Sequence, residues 1–326
     1  MKIAFLPLDS RPITRDAFLA LAAIAGVDVV TPPREMLGAL KTPADVEALW
    51  SWVSREGAEV DLLIASAELL IYGGLVPSRI GHEPLDRCLG LARRFVEVRR
   101  AVPHRRIFLS ASNLRLPSAA DATEEPDYWA EYGPQIFTYS FHLDRYDQTG
   151  DATSQEVAAS AAAAVPAAVL SDVRARRARN LAVLLFLVDL AAQGTLDALL
   201  IGQDDAAEFG WTRRDLRVVD EAARTRGAST RAWVTYGTDE LTARLLARAY
   251  LEDRDTGPGV RVMYSYPKNH DAIPRYEGQA LDVTVTSHIA TAGCRRVLSR
   301  PDLTLFVHNF PGAQEEAPHQ RPYDPA

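Results

Sequence analysis

Eight short apolar runs alternate with longer stretches of helical periodicity along this chain. They fall at residues 3–8, 27–31, 61–66, 106–110, 198–202, 232–236, 260–265 and 303–307. Most are continuously hydrophobic, as in IAFLPL, DLLIAS and ALLIG. A strand with one wet face alternates apolar and polar residues, whereas a strand covered by helices on both faces reads as an unbroken run. The intervening stretches are long enough for crossover helices, so parallel pairing is expected. The fold class that follows is α/β, with a mostly parallel sheet and crossover helices. Eight strands favour a (β/α)8-like barrel slightly over an open, doubly wound, two-lobe sheet.

The helical stretches carry ordinary start and stop signals. Thr42 and Pro43 precede ADVEALWSWVSREG, which Gly57 closes, and Thr238 is placed to cap DELTARLLARAYLED. Pro166 interrupts the alanine-rich SAAAAVPAAVLSDVRARRARN, whose arginines read as a solvated face. NLAVLLFLVDLAAQG is the most apolar stretch, but Asp189 interrupts it, and it falls short of the roughly 20 residues a membrane span needs. It reads as a buried helix stopped by Gly194. Residues 117–154 break the alternation and read as a lid-like insertion. Its aromatics Tyr128, Trp129, Tyr132, Phe137, Tyr139, Phe141 and Tyr146 suit either stacking on sugar rings or a small satellite core. The organisation expected is one α/β domain over residues 1–310, then a flexible tail or truncated continuation over 311–326.

Composition narrows the partners. With 326 residues, 47% of them hydrophobic, the chain can fill a large core. A net charge of -7 lacks the basic footprint of a nucleic-acid binder, so a small-molecule or carbohydrate substrate is expected, with neither nucleic acid nor membrane as partner. Cys88 and Cys294 form no CxxC or Cys/His ligand spacing, which suits a reducing cytoplasm. The apolar run before Asp9 is too short for a signal peptide.

Polar residues concentrate after the strands. The first run leads to Asp9 and Arg11, and the third to Glu68, Tyr72, a Gly73-Gly74 pair and Arg79. The fourth leads to Asn113 and Arg115, the fifth to Gln203, Asp204 and Asp205, the sixth to Asp239 and Glu240, and the eighth to His308 and Asn309. Ligands of parallel sheets bind at this end of the strands. Neighbouring strands lie about 5 Å apart, so the pairs Asp204-Asp205 and Asp239-Glu240 are expected to meet. Carboxylates held together acquire split pKa values, the requirement for acid and base roles in glycoside hydrolysis. The same acids with His308 could instead hold a divalent metal that activates water. The structural alternatives are helix capping by Asp204 or Asp205 ahead of Trp211, and a favourable macrodipole for Asp239 and Glu240. No GxGxxG, GxxxxGK[ST] or GxSxG motif occurs.

The segments PLDSRP, TPPREMLG, YGGLVPSR, EEPDYWAEYG, QDDAAEFG and GTDE, in this order, resemble the bacterial family of unknown function DUF4127. The resemblance covers essentially the whole chain and implies loaded strand ends without a reaction. Glu68 stands where relatives typically carry an aspartate, and relatives continue into a region with a Gly-Trp-Asn-Thr segment that is absent here. The residues themselves lead to the functional expectation of a carbohydrate hydrolase. Asp204 or Asp205 with Asp239 or Glu240 would form the acid/base pair. Asp9, Arg11, Glu68, Tyr72, Arg79, Arg115, Gln203 and Asn309 would bind substrate. The alternatives are a metal-dependent hydrolase, with Asp204, Asp205 and His308 as ligands, and a non-catalytic sugar- or peptide-binding protein.

Overall fold

The structure, a computed structural model, describes residues 1–56 and 59–312. The helix stop expected at Gly57 and all but the first two residues of the expected tail lie outside the described residues. All eight expected strands are present, as β1 (Lys2–Leu6), β2 (Asp28–Val30), β3 (Leu62–Ser66), β4 (Arg106–Asn113), β5 (Ala198–Gln203), β6 (Ala232–Tyr236), β7 (Gly259–Tyr264) and β9 (Leu303–Val307). A short strand not anticipated, β8 (Arg295–Arg296), joins them.

The first six strands form one all-parallel sheet in the order β2-β1-β3-β4-β5-β6. Its unbroken hydrophobic runs divide between two cores by the period of two. Ala4, Leu6, Leu63, Ala65, Leu109, Leu199 and Ile201 enter one core, against α2 (Val46–Glu56), α5 (Leu85–Ala101), α8 (Ala167–Ala192) and α9 (Trp211–Thr225). Ile3, Phe5, Leu62, Ile64, Phe108, Ala198 and Leu200 enter the other, against α1 (Asp16–Ile24) and α10 (Leu241–Glu252). Helices therefore cover both faces, and β1 is followed on one side by β2 and on the other by β3. That reversal is a topological switch point.

The slight preference for a barrel is corrected: the sheet is open. The last strands do not continue it but form a separate three-stranded parallel sheet in the order β8-β7-β9. The reason lies in their sequence. Arg261 in β7 and Thr304 in β9 are direct register partners and both exposed, and β9 is largely exposed. Strands of that character do not suit a layer that must be buried on both faces. Helix α11 (Leu281–Thr291) ties the small sheet to β6, where Ser287 and Thr235 hydroxyls lie 2.8 Å apart.

Residues 117–154 are not a structureless connection. They lead into α6 (Trp129–Thr149) and the start of α7 (Ala152–Ala163); two further short helices, α3 (Ala67–Tyr72) and α4 (Leu75–Ile80), follow β3. Helix α6 packs around a satellite core of Leu116, Trp129, Ile136, Val165, Leu170, Val173 and Trp211, with Tyr128, Tyr132 and Tyr139 at its margin. Pro166 separates α7 from α8 with a bend of 111°. Of the arginines of α8 only Arg174 is exposed, and the expected solvated face is corrected: Arg176, Arg177 and Arg179 are buried. Arg176 donates to the Arg79 carbonyl (2.7 Å) and Arg179 to those of Ser78 (2.9 Å) and Gly81 (2.7 Å). They satisfy the free carbonyls at the end of α4 and so fix the segment that carries Arg79. Among the described residues no single helix is long and apolar enough to cross a membrane.

Candidate functional site

A cleft of about 250 Å³ opens over the carboxyl ends of β5 and β6. Arg11, Arg79 and Arg115 line it together with Glu124, Asp204, Asp205, Asp239, Glu240 and Glu277, giving three formal positive against six formal negative charges. The close approach of the two strand ends requires glycine. A Cβ on Gly202 would stand 2.2 Å from the Gly237 carbonyl oxygen, and Gly237 itself has φ +82°.

The arginines form a graded ladder with the acids. Arg79, with its side chain 3% exposed, donates to Asp204 Oδ2 (2.6 Å) and Glu124 Oε2 (2.7 Å). Asp204 Oδ1 accepts the Asp205 backbone N–H (2.9 Å), so both of its oxygens are occupied. Arg115 donates to Asp205 Oδ2 (2.9 Å), Glu124 Oε2 (3.0 Å) and Glu125 Oε1 (2.8 Å). Arg11 clamps both oxygens of Asp239, at 2.6 and 3.1 Å, while its Nε donates to Asp9 (2.8 Å). Glu240 lies 3.4 Å from Arg244 and 3.5 Å from His288. Burial, with Arg244 nearby, depresses the His288 imidazole to about 4, so it is neutral at pH 7. Burial and the charge of Asp204 push the Asp205 carboxyl up, against Arg115. Burial likewise raises Asp239, against the pull of Arg11.

Glu277 was not foreseen from the sequence, because attention falls on the residues directly after β7, whereas Glu277 comes from further along the same connection. Its loop is locked against the end of β5 at three points. The Ala206 N–H donates to the Tyr276 carbonyl (2.7 Å), Arg213 bridges Gln203 (2.8 Å) and Gln279 (3.2 Å), and Gly278 packs on the Ala207 carbonyl. Tyr276 takes φ +68°, uncommon for a residue with a side chain. Glu277 Oε2 accepts from Gln279 (2.9 Å) and Thr284 (3.2 Å), both neutral. Burial raises its carboxyl, and the charges of Glu240 and Asp205 add to the shift. Glu124 was equally unanticipated, since it sits in the connection after β4 rather than at a strand end.

The capping alternatives do not account for the acids. The N-terminus of α9 is satisfied from α6, where Asp144 accepts the Gly210 N–H (2.8 Å) and Ser140 the Trp211 N–H (2.7 Å). Glu240 occupies the N-cap position of α10 but makes no side-chain cap bond, and the Thr238 hydroxyl, expected to cap, finds no partner among the described residues. Asp204 and Asp205 face the cleft and its arginines instead.

Other expected site residues fall outside this lining. Glu68 lies beneath the site, fully enclosed, accepting from Ser66 Oγ (2.7 Å) and the Ser112 N–H (2.6 Å), and burial raises its carboxyl to about 7. Tyr72 is buried with Arg179 stacked 5.1 Å over its ring. Asn309 is buried and spent on the connection after β7, accepting the Tyr266 N–H (2.9 Å) and donating to the Tyr266 carbonyl (2.9 Å). His308 is exposed on the small sheet beside Phe310. Among the described residues no group of three or more His, Cys, Asp or Glu side chains is arranged to hold a metal ion. The aromatics of the insertion do not line the cleft.

An open parallel α/β sheet with a carboxylate-rich cleft over its strand ends defines the class of this protein. Residues 3–324 match the family described as Protein of unknown function (DUF4127), and the chain belongs to it. No curated protein and no solved structure matches the chain.

Proposed function

We propose that the cleft hydrolyses a glycosidic bond in a carbohydrate by paired carboxyl catalysis, with Glu277 as the general acid and Asp205 as the base. The observation that carries this reading is the unequal partnering of acids around one cavity. Asp204 and Asp239 have both oxygens engaged, whereas Asp205 Oδ1 and Glu277 Oε1, like Glu124 Oε1 and Glu240 Oε2, have no hydrogen-bond partner among the described residues, and of these four acids Glu277 alone has no arginine bonded to it there. Burial and the charges of Glu240 and Asp205 raise the Glu277 carboxyl, and its partners are all neutral, which favours the proton-donor role; the Asp205 carboxyl is raised too, but Arg115 opposes that shift, which favours the base role. Glu277 gives its proton to the leaving oxygen as the C–O bond breaks. Asp205 takes one from the water whose oxygen bonds to the sugar carbon. Asp239, Glu240 and Arg11 stand where hydroxyls of the ring would be gripped.

The test is turnover of a panel of 4-methylumbelliferyl glycosides. The wild type is expected to release fluorophore from at least one, and Glu277→Gln and Asp205→Asn to lower kcat by about 10²- to 10⁴-fold with the fold intact. Hydrolysis unaffected by either substitution overturns the assignment, and no hydrolysis of any member overturns the reaction class.

A further inference from the structure

We propose that the site takes a ligand of two parts: a sugar in the carboxylate cleft and, on the same molecule, a short alkyl substituent in a small apolar pocket beside it. The identity of the polar part rests on the carbohydrate reading above; the apolar part does not. The pocket, of about 90 Å³, is walled mainly by Leu37, Leu40, Leu75, Val76 and Pro77, with the charged Asp9, Arg11 and Glu124 also in its lining. Arg11, Leu75 and Glu124 line both pocket and cleft, so the two cavities adjoin.

The topology supports the bridge. The pocket is built from segments following β1, β2 and β3, of which β1 and β3 flank the switch point, and the cleft over β5 and β6 extends to the same region through Arg11, Leu75 and Arg79. Ligands of open α/β sheets bind in the crevice at that reversal.

The pocket is also built firmly at its base and left incomplete at its rim. Gly73, at φ +85°, packs so closely that a Cβ would stand 2.8 Å from Pro43 Cβ, and its carbonyl accepts the Ala44 N–H (2.9 Å). Two hydrogen bonds between Ala39 and Thr42 close a tight turn that holds Leu40 at φ +46°. This backbone is costly for a leucine, yet its side chain is 54% exposed at the rim. An apolar group entering the pocket gives that side chain something to bury against. A cavity of about 150 Å³ takes benzene, so this one takes about three or four carbon atoms.

The experiment is isothermal titration of matched methyl and n-butyl glycosides of glucose, galactose, mannose and N-acetylglucosamine. Wild type, Ala39→Phe, which fills the pocket from its exposed side, and Leu40→Gly, which removes a wall while relieving the backbone, are compared. Each buried methylene is worth about fourfold, so after the cost of ordering the chain the butyl form should bind about tenfold tighter than the methyl form to wild type. Both variants should reduce that preference to within about twofold while leaving the methyl affinity unchanged. Equal binding of the two forms by wild type, or a butyl preference that survives Ala39→Phe, overturns the proposal. Should no glycoside bind, the carbohydrate reading fails separately, and xenon-pressurised crystals decide the pocket. Xenon among Leu37, Leu75 and Val76 in wild type but not in Ala39→Phe supports it, and no xenon there overturns it.

Discussion

Glu68→Gln should stabilise this protein at neutral pH and do so progressively less as the solution is acidified. Glu68 is 3% exposed, and its two oxygens accept from Ser112 and Ser66, contacts that a glutamine keeps through its own carbonyl and amide. Burial, reinforced by the charge of Asp204, lifts the carboxyl from 4.5 to about 7 in the folded chain. Between those two values the folded protein holds a proton that the unfolded chain has released, so rising pH favours unfolding. Below 4.5 both states are protonated and the wild type bears no penalty; above 7 the penalty is complete. At about 1.4 kcal/mol per pKa unit the full effect is on the order of 3 kcal/mol. The part that develops between pH 5 and pH 8 is about 2–3 kcal/mol. Glutamine does not ionise and escapes it. With an unfolding entropy of about 2.1 cal/mol/K per residue, the variant should melt about 4 °C above wild type at pH 8 and within about 1 °C of it at pH 5. Urea unfolding at the two pH values measures the same difference. A variant advantage that does not change with pH, or a variant less stable than wild type at pH 8, refutes the reasoning.

Arg79→Met should cost about 3–5 kcal/mol at pH 7, because removing this buried guanidinium leaves Asp204 without its arginine and Glu124 and Glu125 with Arg115 alone. Denaturation at pH 5 should show part of the loss recovered as Glu125, already raised by burial, takes up a proton; a loss independent of pH argues against the charge account. Gly202→Ala should lower stability by about 1–3 kcal/mol, since its methyl collides with the Gly237 carbonyl, and thermal melting checks it. For the glycoside that is hydrolysed, the defect of Glu277→Gln should shrink as the leaving group becomes more acidic, because a better leaving group needs less protonation. A constant defect across a series of substituted phenyl glycosides would remove Glu277 from the proton-donor role.

The fold was legible in proportion to how local its determinants are. Strands β3 and β5 are unbroken apolar runs, and burial on both faces follows directly from that. Closure into a barrel was not legible, because it depends on which edges pair, and β7 and β9 reveal their exclusion only through residues such as Arg261 and Thr304. The cleft was half legible. Arg11, Arg115, Gln203, Asp204, Asp205, Asp239 and Glu240 lie directly after strands, where a parallel sheet gathers them. Glu277 and Glu124 arrive from the middle of connections, and only tertiary contacts such as Ala206 to Tyr276 bring such residues in. The arginines of α8 misled for a related reason. Arg177 looks like one of a solvated run, yet its guanidinium is buried against Asp215 and the Leu114 carbonyl, partners far away in sequence.

The most direct measurement on the central claim is a crystal structure of Asp205→Asn soaked with the 4-methylumbelliferyl glycoside panel, read only around the cleft. The account predicts a sugar ring between residue 205 and Glu277, with the glycosidic oxygen within about 3 Å of the Glu277 carboxyl, the reach of a proton transfer. A ring bound elsewhere, or one whose glycosidic oxygen faces away from Glu277, would contradict it.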